Sequence, residues 1–216
     1  MKLKFGKSIK CIIASILTIC FLITVLSYRS LPNKIVTHWD VTGQPNESMS
    51  KIPGLIITPL MLLGLDILFF ILPNIDPLKK NVLKFKPFYE GFIILFSIFL
   101  LLIQMHLILW NLGMKINPLS LILIFLPLFF FYIGILCEKS KRNWFIGIRN
   151  PWTLSSDFVW EKTNRLAGRI FKISAIILLF CAFFPSMFFY LIIVDAFVII
   201  VVTFIYSYKL YQKRKK

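Results

Sequence analysis

Long apolar stretches separated by short polar segments dominate the chain. Each of the first four stretches is long enough for a helix across about 30 Å of hydrocarbon, which takes roughly 20 residues. The last stretch, from Ile170 to Tyr208, would form a helix about 58 Å long, which exceeds one span. Pro185 lies near its middle, where proline can end one helix and open the next. The pattern therefore predicts six spans, at residues 11–28, 54–73, 91–112, 118–137, 170–184 and 187–208.

Composition agrees with this pattern and gives the fold class. Of the 216 residues, 58% are hydrophobic and 16% are charged, and the mean hydropathy is +0.83. An average soluble domain has about 45–50% apolar and about 25% charged residues. Disorder, a coiled coil and a soluble globule are therefore excluded, and we predict an all-α polytopic membrane protein with a bundle of six transmembrane helices. All four cysteines lie in or beside the apolar stretches, as small core residues do.

Basic residues gather on one side of the predicted spans. Twenty of them lie in the N-terminal segment, the segment between spans two and three, the 138–169 loop and the C-terminal tail. Four lie on the opposite side: Arg29, Lys34, Lys51 and Lys115. Because cytoplasmic loops carry the excess of Lys and Arg, we expect both termini to be cytoplasmic. Basic flanks next to anionic lipid also explain the net charge of +16, so no direct nucleic-acid partner is predicted.

The predicted extracytoplasmic loop, 29–53, is rich in turn-forming residues, which favour a compact conformation. Its central Trp39 suits the headgroup layer, where an amphipathic ring is stabilised. The neighbours of Trp39 in sequence, His38 and Asp40, supply at most part of a metal site, and no metal is predicted. The candidate binding residues of this loop are Pro32, His38, Trp39, Asp40 and Gly43.

The predicted cytoplasmic loop, 138–169, contains a helix-start pattern. Pro151 disfavours a helical conformation for the residue before it, and a serine pair followed by Asp157 is typical of a helix N-terminus. We therefore predict a short helix from Phe158 to Ala167 that lies on the cytoplasmic surface before the chain turns into the fifth span. An aromatic belt at the interface accounts for the tryptophans of this loop: Trp144, Trp152 and Trp160.

Four polar side chains fall inside the predicted spans: Asp66, Gln104, His106 and Asp195. A charged residue at this depth costs roughly 2.5–3.5 kcal/mol on insertion, so these positions are functional candidates. An acid that faces a histidine could neutralise it or pass protons. Equally, a polar pair could hold two helices together, or an acid could stay protonated. The chain has no HExxH, GxSxG, P-loop or GxGxxG pattern, so we predict neither enzymatic activity nor a cofactor.

Two segments resemble known families. The outer LPNKIVTHWDVTGQPNESMSK resembles the extracytoplasmic signature of an N-terminal domain of unknown function found in small bacterial membrane proteins. The inner FIGIRNPWTLSSDFVWEKTNRLAGR resembles the signature of the SdpI-type family, in which a Gly-Ile-Arg-x-Pro-Trp-Thr-Leu block is followed by Trp-x-x-Thr-x-Arg. Asn150 departs from that pattern, since the family often has threonine there. The matching positions are Gly147, Arg149, Pro151, Trp152, Thr153, Trp160, Thr163 and Arg165.

The resemblance implies two domains, one of unknown function at 1–90 and an SdpI-like one at 91–216. It also implies an immunity protein of the bacterial plasma membrane, which protects the producing cell from its own secreted, membrane-active peptide toxin and is not an enzyme. The implied partners are membrane lipid, the toxin and a cytosolic regulator such as a transcriptional repressor. An alternative hypothesis is a small proton-coupled transporter or export component that uses Asp66, His106 and Asp195. A third is a sensor whose cytoplasmic loop recruits a regulator.

Overall fold

The computed structural model describes residues 5–215, apart from the side chains of Ala182, Pro185, Ser186 and Lys215. Lys2, Lys4 and Lys216, which contribute to the predicted basic flanks, lie outside the described residues. The elements, in chain order, are α1 (Lys7–Ser27), β1 (Lys34–Trp39), β2 (Pro45–Ser50), α2 (Lys51–Ile75), α3 (Lys79–Leu83), α4 (Lys86–Asn111), α5 (Pro118–Lys139), α6 (Pro151–Ser155), α7 (Asp157–Phe180) and α8 (Pro185–Lys215).

Within the described residues, five helical segments are long and apolar enough to cross a membrane. They are Lys7–Ser30, Lys51–Ile75, Lys86–Asn111, Pro118–Lys139 and Met187–Arg214. Apolar runs of this length become helices because lipid offers no hydrogen-bond partners, so the backbone must satisfy its own polar groups. Between 17% and 33% of each apolar window is buried by protein, which leaves most of its surface for lipid. The prediction of an all-α polytopic membrane protein is confirmed.

Helix α7 differs from the prediction. The predicted surface helix at 158–167 and most of the predicted span at 170–184 form one continuous helix, so the turn expected between them is wrong. No proline interrupts this stretch, and Gly168, which lies where the turn was expected, stays within the helix and packs closely against α5. Six charged residues lie along α7, which is not among the five apolar segments. The count of six spans and the position of the termini stay predictions.

The break near Pro185 is confirmed. Helix α7 ends at Phe180, a 3-10 turn covers Cys181–Phe183, and α8 begins at Pro185. Proline is tolerated at the first position of a helix because its missing N–H would have no helical partner there. The chain can therefore start a new helix at this position.

The described chain divides into two compact units. The hairpin unit comprises the described residues up to Phe70 together with Ile93–Ile122. The motif unit comprises Ile71–Phe92 and the described residues from Leu123 onward. The domain boundary predicted between residues 90 and 91 stays a prediction.

The hairpin unit contains two β-strands, which the sequence analysis did not predict. Strands β1 and β2 pair antiparallel and form a two-stranded hairpin between α1 and α2 in the chain. A small core joins Ile35 of β1 to Leu31, Leu55, Leu107 and Ile108. Two-stranded hairpins are marginal on their own in water, so this packing against helix ends keeps the hairpin folded.

In the motif unit, α5 and α7 approach closely at a pair of glycines. A Cβ atom added to Gly134 would lie 2.7 Å from the carbonyl oxygen of Gly168, and one added to Gly168 would lie 2.5 Å from that of Gly134. Larger residues would push the helices apart, as at other small-residue helix contacts in membranes. An ion pair of 2.7 Å between Lys172 and Glu138 follows on the same two helices.

Candidate functional site

The turn of the hairpin is built around Asp40. Its Oδ1 accepts hydrogen bonds from the backbone N–H of Thr42 (2.8 Å), the hydroxyl of Thr42 (2.6 Å) and the backbone N–H of Gln44 (3.0 Å). These bonds favour the charged form and hold the pKa of Asp40 below its ordinary value, with the Thr42 hydroxyl the largest cause. Gly43 adopts φ +84°, and a Cβ there would collide with the side chain of Asn117. Gly43 is therefore a conformational requirement of the turn.

The three central residues of the loop point to different surroundings. Trp39 packs edge-on against His106 and Trp110, with ring centroids 5.1 Å and 5.4 Å away. His38 is exposed, and its Nδ1 lies 2.7 Å from Oδ1 of Asn46 on the opposite strand. Among the described residues, no group of three or more His, Cys, Asp and Glu side chains is arranged to hold a metal ion. Because of its two ring contacts, Trp39 anchors the strand. His38 and Asp40 are exposed, and Pro32 is exposed as well.

Asn111 attaches the hairpin to α4 by hydrogen bonds to the main chain. Oδ1 of Asn111 accepts a hydrogen bond from the N–H of Val36 (2.8 Å), and its Nδ2 donates to the carbonyl oxygen of the same residue (2.9 Å). Nδ2 also donates to the carbonyl oxygen of Leu107 (2.8 Å), one turn earlier in the helix. The amide thus takes the place that a neighbouring strand would occupy along β1.

Gln104 is a structural link within the hairpin unit. It is fully buried, and its Nε2 donates to the hydroxyl of Thr24 on α1 (2.8 Å) and to the carbonyl oxygen of Leu55 on α2 (3.0 Å). Hydrogen bonds of this kind join helices in an apolar environment. The structure therefore places this intramembrane candidate in the packing between three helices.

The two intramembrane acids lie beside serines. Oδ1 of Asp66 accepts a hydrogen bond from the hydroxyl of Ser97 on α4 (2.7 Å), and Asp195 on α8 lies near Ser174 on α7. His106 lies nine residues beyond Ser97, about 13.5 Å along the same helix. Its Nε2 contacts the carbonyl oxygen of Ile116 at 2.8 Å. Asp66 and His106 are therefore not brought together as an acid–histidine pair.

The loop before α6 is organised by two buried asparagines that the sequence analysis missed. Oδ1 of Asn143 accepts from the backbone N–H groups of Phe145 (2.9 Å) and Ile146 (2.7 Å). Oδ1 of Asn164 on α7 accepts from the N–H of Ile148 (2.7 Å). Gly147 lies between Ile146 and Ile148, the residues that the two asparagines bind. It has φ +110°, and a Cβ at this position would lie 2.6 Å from Oδ1 of Asn164. Asparagine is common in polar loops, so no signal in one sequence distinguishes these two.

Helix α6 begins at the Asn-Pro-Trp segment. Asn150 is extended, as expected before Pro151, and forms a capping box with Thr153. Nδ2 of Asn150 also donates to the hydroxyl of Ser207 on α8 (2.8 Å). Trp152 packs edge-on against Phe204 and Tyr208 of the same helix. These contacts attach α6 to α8, and the residue that departs from the family pattern performs the capping.

Other members of the inner motif divide into buried and exposed residues. Trp160 is 1% exposed and donates its indole N–H to the carbonyl oxygen of Ser140 (3.3 Å), so its assignment to an interfacial belt is wrong. Thr153 and Thr163 are fully buried. The motif residues Arg149 and Arg165 are exposed. Arg149 donates to the carbonyl oxygen of Trp144 (2.7 Å), and Arg165 forms an ion pair with Glu161 (3.1 Å). Buried positions of the motif thus shape the loop, and the two arginines lie at its surface.

An aspartate missed by the sequence analysis holds the motif loop to the segment before α3. Asp76 is 1% exposed, and its carboxylate accepts from the backbone N–H groups of Leu78 (2.6 Å) and Trp144 (2.9 Å). The Asp-Pro dipeptide at 76–77 is a turn signal, so the first of these bonds was predictable. The second joins residues 68 positions apart, and only the fold brings them together.

Together the apolar helices define a multi-pass membrane protein. Residues 139–207 match the model of the SdpI/YfhL protein family, and residues 15–63 match that of a domain of unknown function, DUF1648. Immunity protein SdpI of Bacillus subtilis (strain 168) is 28% identical over 204 residues, which cover 93% of this chain and 96% of the relative. The predicted resemblance to the SdpI-type family is thereby confirmed. No solved structure matches the chain.

Replacing Gly147 by alanine is expected to destabilise the motif unit. The change adds a Cβ close to Asn164 and forces a non-glycine residue into a left-handed conformation, which costs about 1–3 kcal/mol. The midpoint of thermal unfolding in detergent should fall. Gly64→Ala is the matched control, because nothing lies within 4 Å of a Cβ at that helical position. Equal midpoints for the two variants would contradict this account.

The turn of the hairpin should respond to acid through Asp40. Because the folded state lowers the pKa of Asp40, its contribution to stability is present above the unfolded pKa of about 3.9 and is lost as pH falls through the lower folded value. The amide NMR signals of Thr42 and Gln44 in micelles should therefore shift with a midpoint below about 3.9. In Asp40→Asn this transition should disappear. A wild-type midpoint above that value would show that the turn bonds do not favour the carboxylate.

Proposed function

We propose that this chain is a membrane immunity protein that protects a bacterium by binding a secreted, membrane-active peptide toxin, without turnover. The observation that carries the proposal is the alignment with Immunity protein SdpI, which extends over nearly the full length of both chains. An alignment of this extent includes the hairpin as well as the inner motif, so the proposal concerns the whole polypeptide. The transporter hypothesis gains no comparable support, because Asp66 and His106 have separate partners.

The free edge of β2 suits an extended peptide. In the register of the hairpin, Val36 faces Ser48. Antiparallel pairs alternate between hydrogen-bonded and non-hydrogen-bonded, and the bond from the N–H of Lys51 to the carbonyl oxygen of Asn33 fixes which pairs are bonded. By this alternation, Val36 and Ser48 form a non-hydrogen-bonded pair. The main-chain groups of both residues therefore point away from the hairpin. Those of Val36 are taken by Asn111, whereas those of Ser48 have no partner among the described residues. An added strand would use these groups.

Accessibility supports the same surface. All six residues of β2 are exposed, and the serines at positions 48 and 50 leave room for a neighbouring backbone. His38 and Asp40 are exposed nearby on the hairpin, while Trp39 anchors the strand to α4. Main-chain hydrogen bonds would supply affinity, and the polar side chains would supply selectivity. The proposal requires the hairpin to lie outside the cell, which agrees with the small number of basic residues predicted on that side.

We further propose that the inner motif reports toxin binding to a cytosolic regulator. Arg149 and Arg165 are exposed, and each uses part of its guanidinium within the chain: Arg149 donates to the carbonyl oxygen of Trp144 (2.7 Å), and Arg165 pairs with Glu161 (3.1 Å). A guanidinium presents several donors in a fixed geometry, which suits acidic or carbonyl groups on a protein surface. Capture of a regulator by the solubilised full chain should fall in Arg149→Gln/Arg165→Gln and stay unchanged in Lys34→Gln. Equal capture by all forms would contradict this role.

Protection can be tested in a B. subtilis strain that lacks its own Immunity protein SdpI. Cells that express this chain should survive co-culture with the parent strain better than cells with an empty vector. Ser48→Pro should lower survival, because proline removes the outward N–H and places a ring at the edge of β2 without breaking a ladder bond. Ser48→Ala, which keeps the N–H, should behave as wild type.

Three outcomes separate the parts of this proposal. Survival no better than the empty vector, with the relative itself protective, would contradict immunity towards that strain. Protection that is lost equally in Ser48→Pro and Ser48→Ala would assign the effect to the serine side chain. Full protection by Ser48→Pro would leave immunity intact and reject the edge of β2 as the binding surface.

A further inference from the structure

A groove lies between the C-terminal end of α1 and the N-terminal end of α2, both within the hairpin unit. Its volume is about 510 Å³, and its lining includes Val25, Leu26, Tyr28, Arg29, Ile52 and Ile56. Val25, Leu26 and Ile52 are 68%, 69% and 62% exposed. These side chains lie on two membrane-spanning candidates, so an acyl chain can contact them.

The charge at the groove is entirely positive. Arg29 belongs to the lining, no acidic residue does, and the guanidinium of Arg29 has no side-chain partner among the described residues. Lys51 is held next to the groove by its contacts with Tyr28, a lining residue. Its Nζ donates to the carbonyl oxygen of Tyr28 (3.1 Å) and lies 4.8 Å from the centroid of the Tyr28 ring. An ammonium group has three donors, so Lys51 keeps two for a ligand.

These two cations are also unusual in their position. The sequence predicts four basic residues on the extracytoplasmic side, and Arg29 and Lys51 are two of them. Arg29 lies in the last turn of one apolar segment and Lys51 is the first residue of the next, and basic side chains at such helix ends can reach lipid headgroups. Charge and apolar surface therefore meet at one place, which matches an amphiphile with an anionic head.

We propose that this groove binds an anionic phospholipid, with one acyl chain against Val25, Leu26 and Ile52 and the phosphate held by Arg29 and Lys51. Arginine pairs bidentately with phosphate, and lysine adds a point charge. The groove opens on the ends of two membrane-spanning candidates, so a lipid reaches it laterally from the bilayer. The site shares no residue with the edge of β2, and it stands whether or not the chain confers immunity.

The experiment is native mass spectrometry of the full chain in a neutral detergent, with phosphatidylglycerol and phosphatidylcholine of identical acyl chains as probes. At about 1 kcal/mol for each of the two basic residues, phosphatidylglycerol should bind about 30-fold more tightly than phosphatidylcholine. Arg29→Gln should weaken its binding about fivefold, and adding Lys51→Gln should bring it to the level of phosphatidylcholine. Lys34→Gln, which alters an exposed cation of β1 outside the groove lining, should have no effect.

A second variant tests the apolar part of the site. Leu26→Trp fills the groove and should weaken the binding of both lipids equally, in contrast to the charge variants. Arg29→Gln removes no side-chain hydrogen bond or ion pair of the described chain, and an unchanged midpoint of thermal unfolding checks that the variant is folded. Equal affinities for the two lipids, or an effect of Lys34→Gln as large as that of Arg29→Gln, would overturn the proposal.

Discussion

Side-chain amides that bind the main chain hold this protein together where the polypeptide leaves its helices. Asn111 binds both main-chain groups of Val36, and the Oδ1 of Asn164 accepts from Ile148 at the motif loop. Non-helical backbone near a membrane has N–H and C=O groups without helical partners, and each unsatisfied group is costly. An amide provides a donor and an acceptor together, so one residue can satisfy both groups of a loop residue.

Glycines and serines serve a related purpose between the helices. Gly134 and Gly168 let two helix backbones come close. In lipid no hydrophobic effect drives helices together, so the dispersion attraction of such close contacts stabilises their packing. The acid–serine pair of Asp66 and Ser97 gives an intramembrane carboxyl group a partner on a neighbouring helix. Polar and small residues of the apolar helices thus lie at contacts between helices.

Three sets of exposed polar groups in the described chain suit external partners. They are the edge of β2 with Ser48, the cations at Arg29 and Lys51, and the arginines Arg149 and Arg165, which keep further donors beside their contacts with Trp144 and Glu161. Each suits a different chemistry: an extended peptide, a phosphate headgroup and the surface of a soluble protein. A membrane immunity protein that binds its target would use the first, and the lipid site is independent of it.

Apolar run lengths by themselves determined the fold class, because a helix is the conformation that satisfies a backbone in lipid. Local chemistry also determined the start of α6 and the break near Pro185, and the motif residues identified the family resemblance. Only the tertiary structure decided that His106 contacts Trp39 rather than Asp66, that Trp160 is buried, and that the outer loop is a hairpin. These outcomes depend on contacts between residues tens of positions apart, such as Val36 with Asn111, and hydrophobic periodicity carries no information about such pairs.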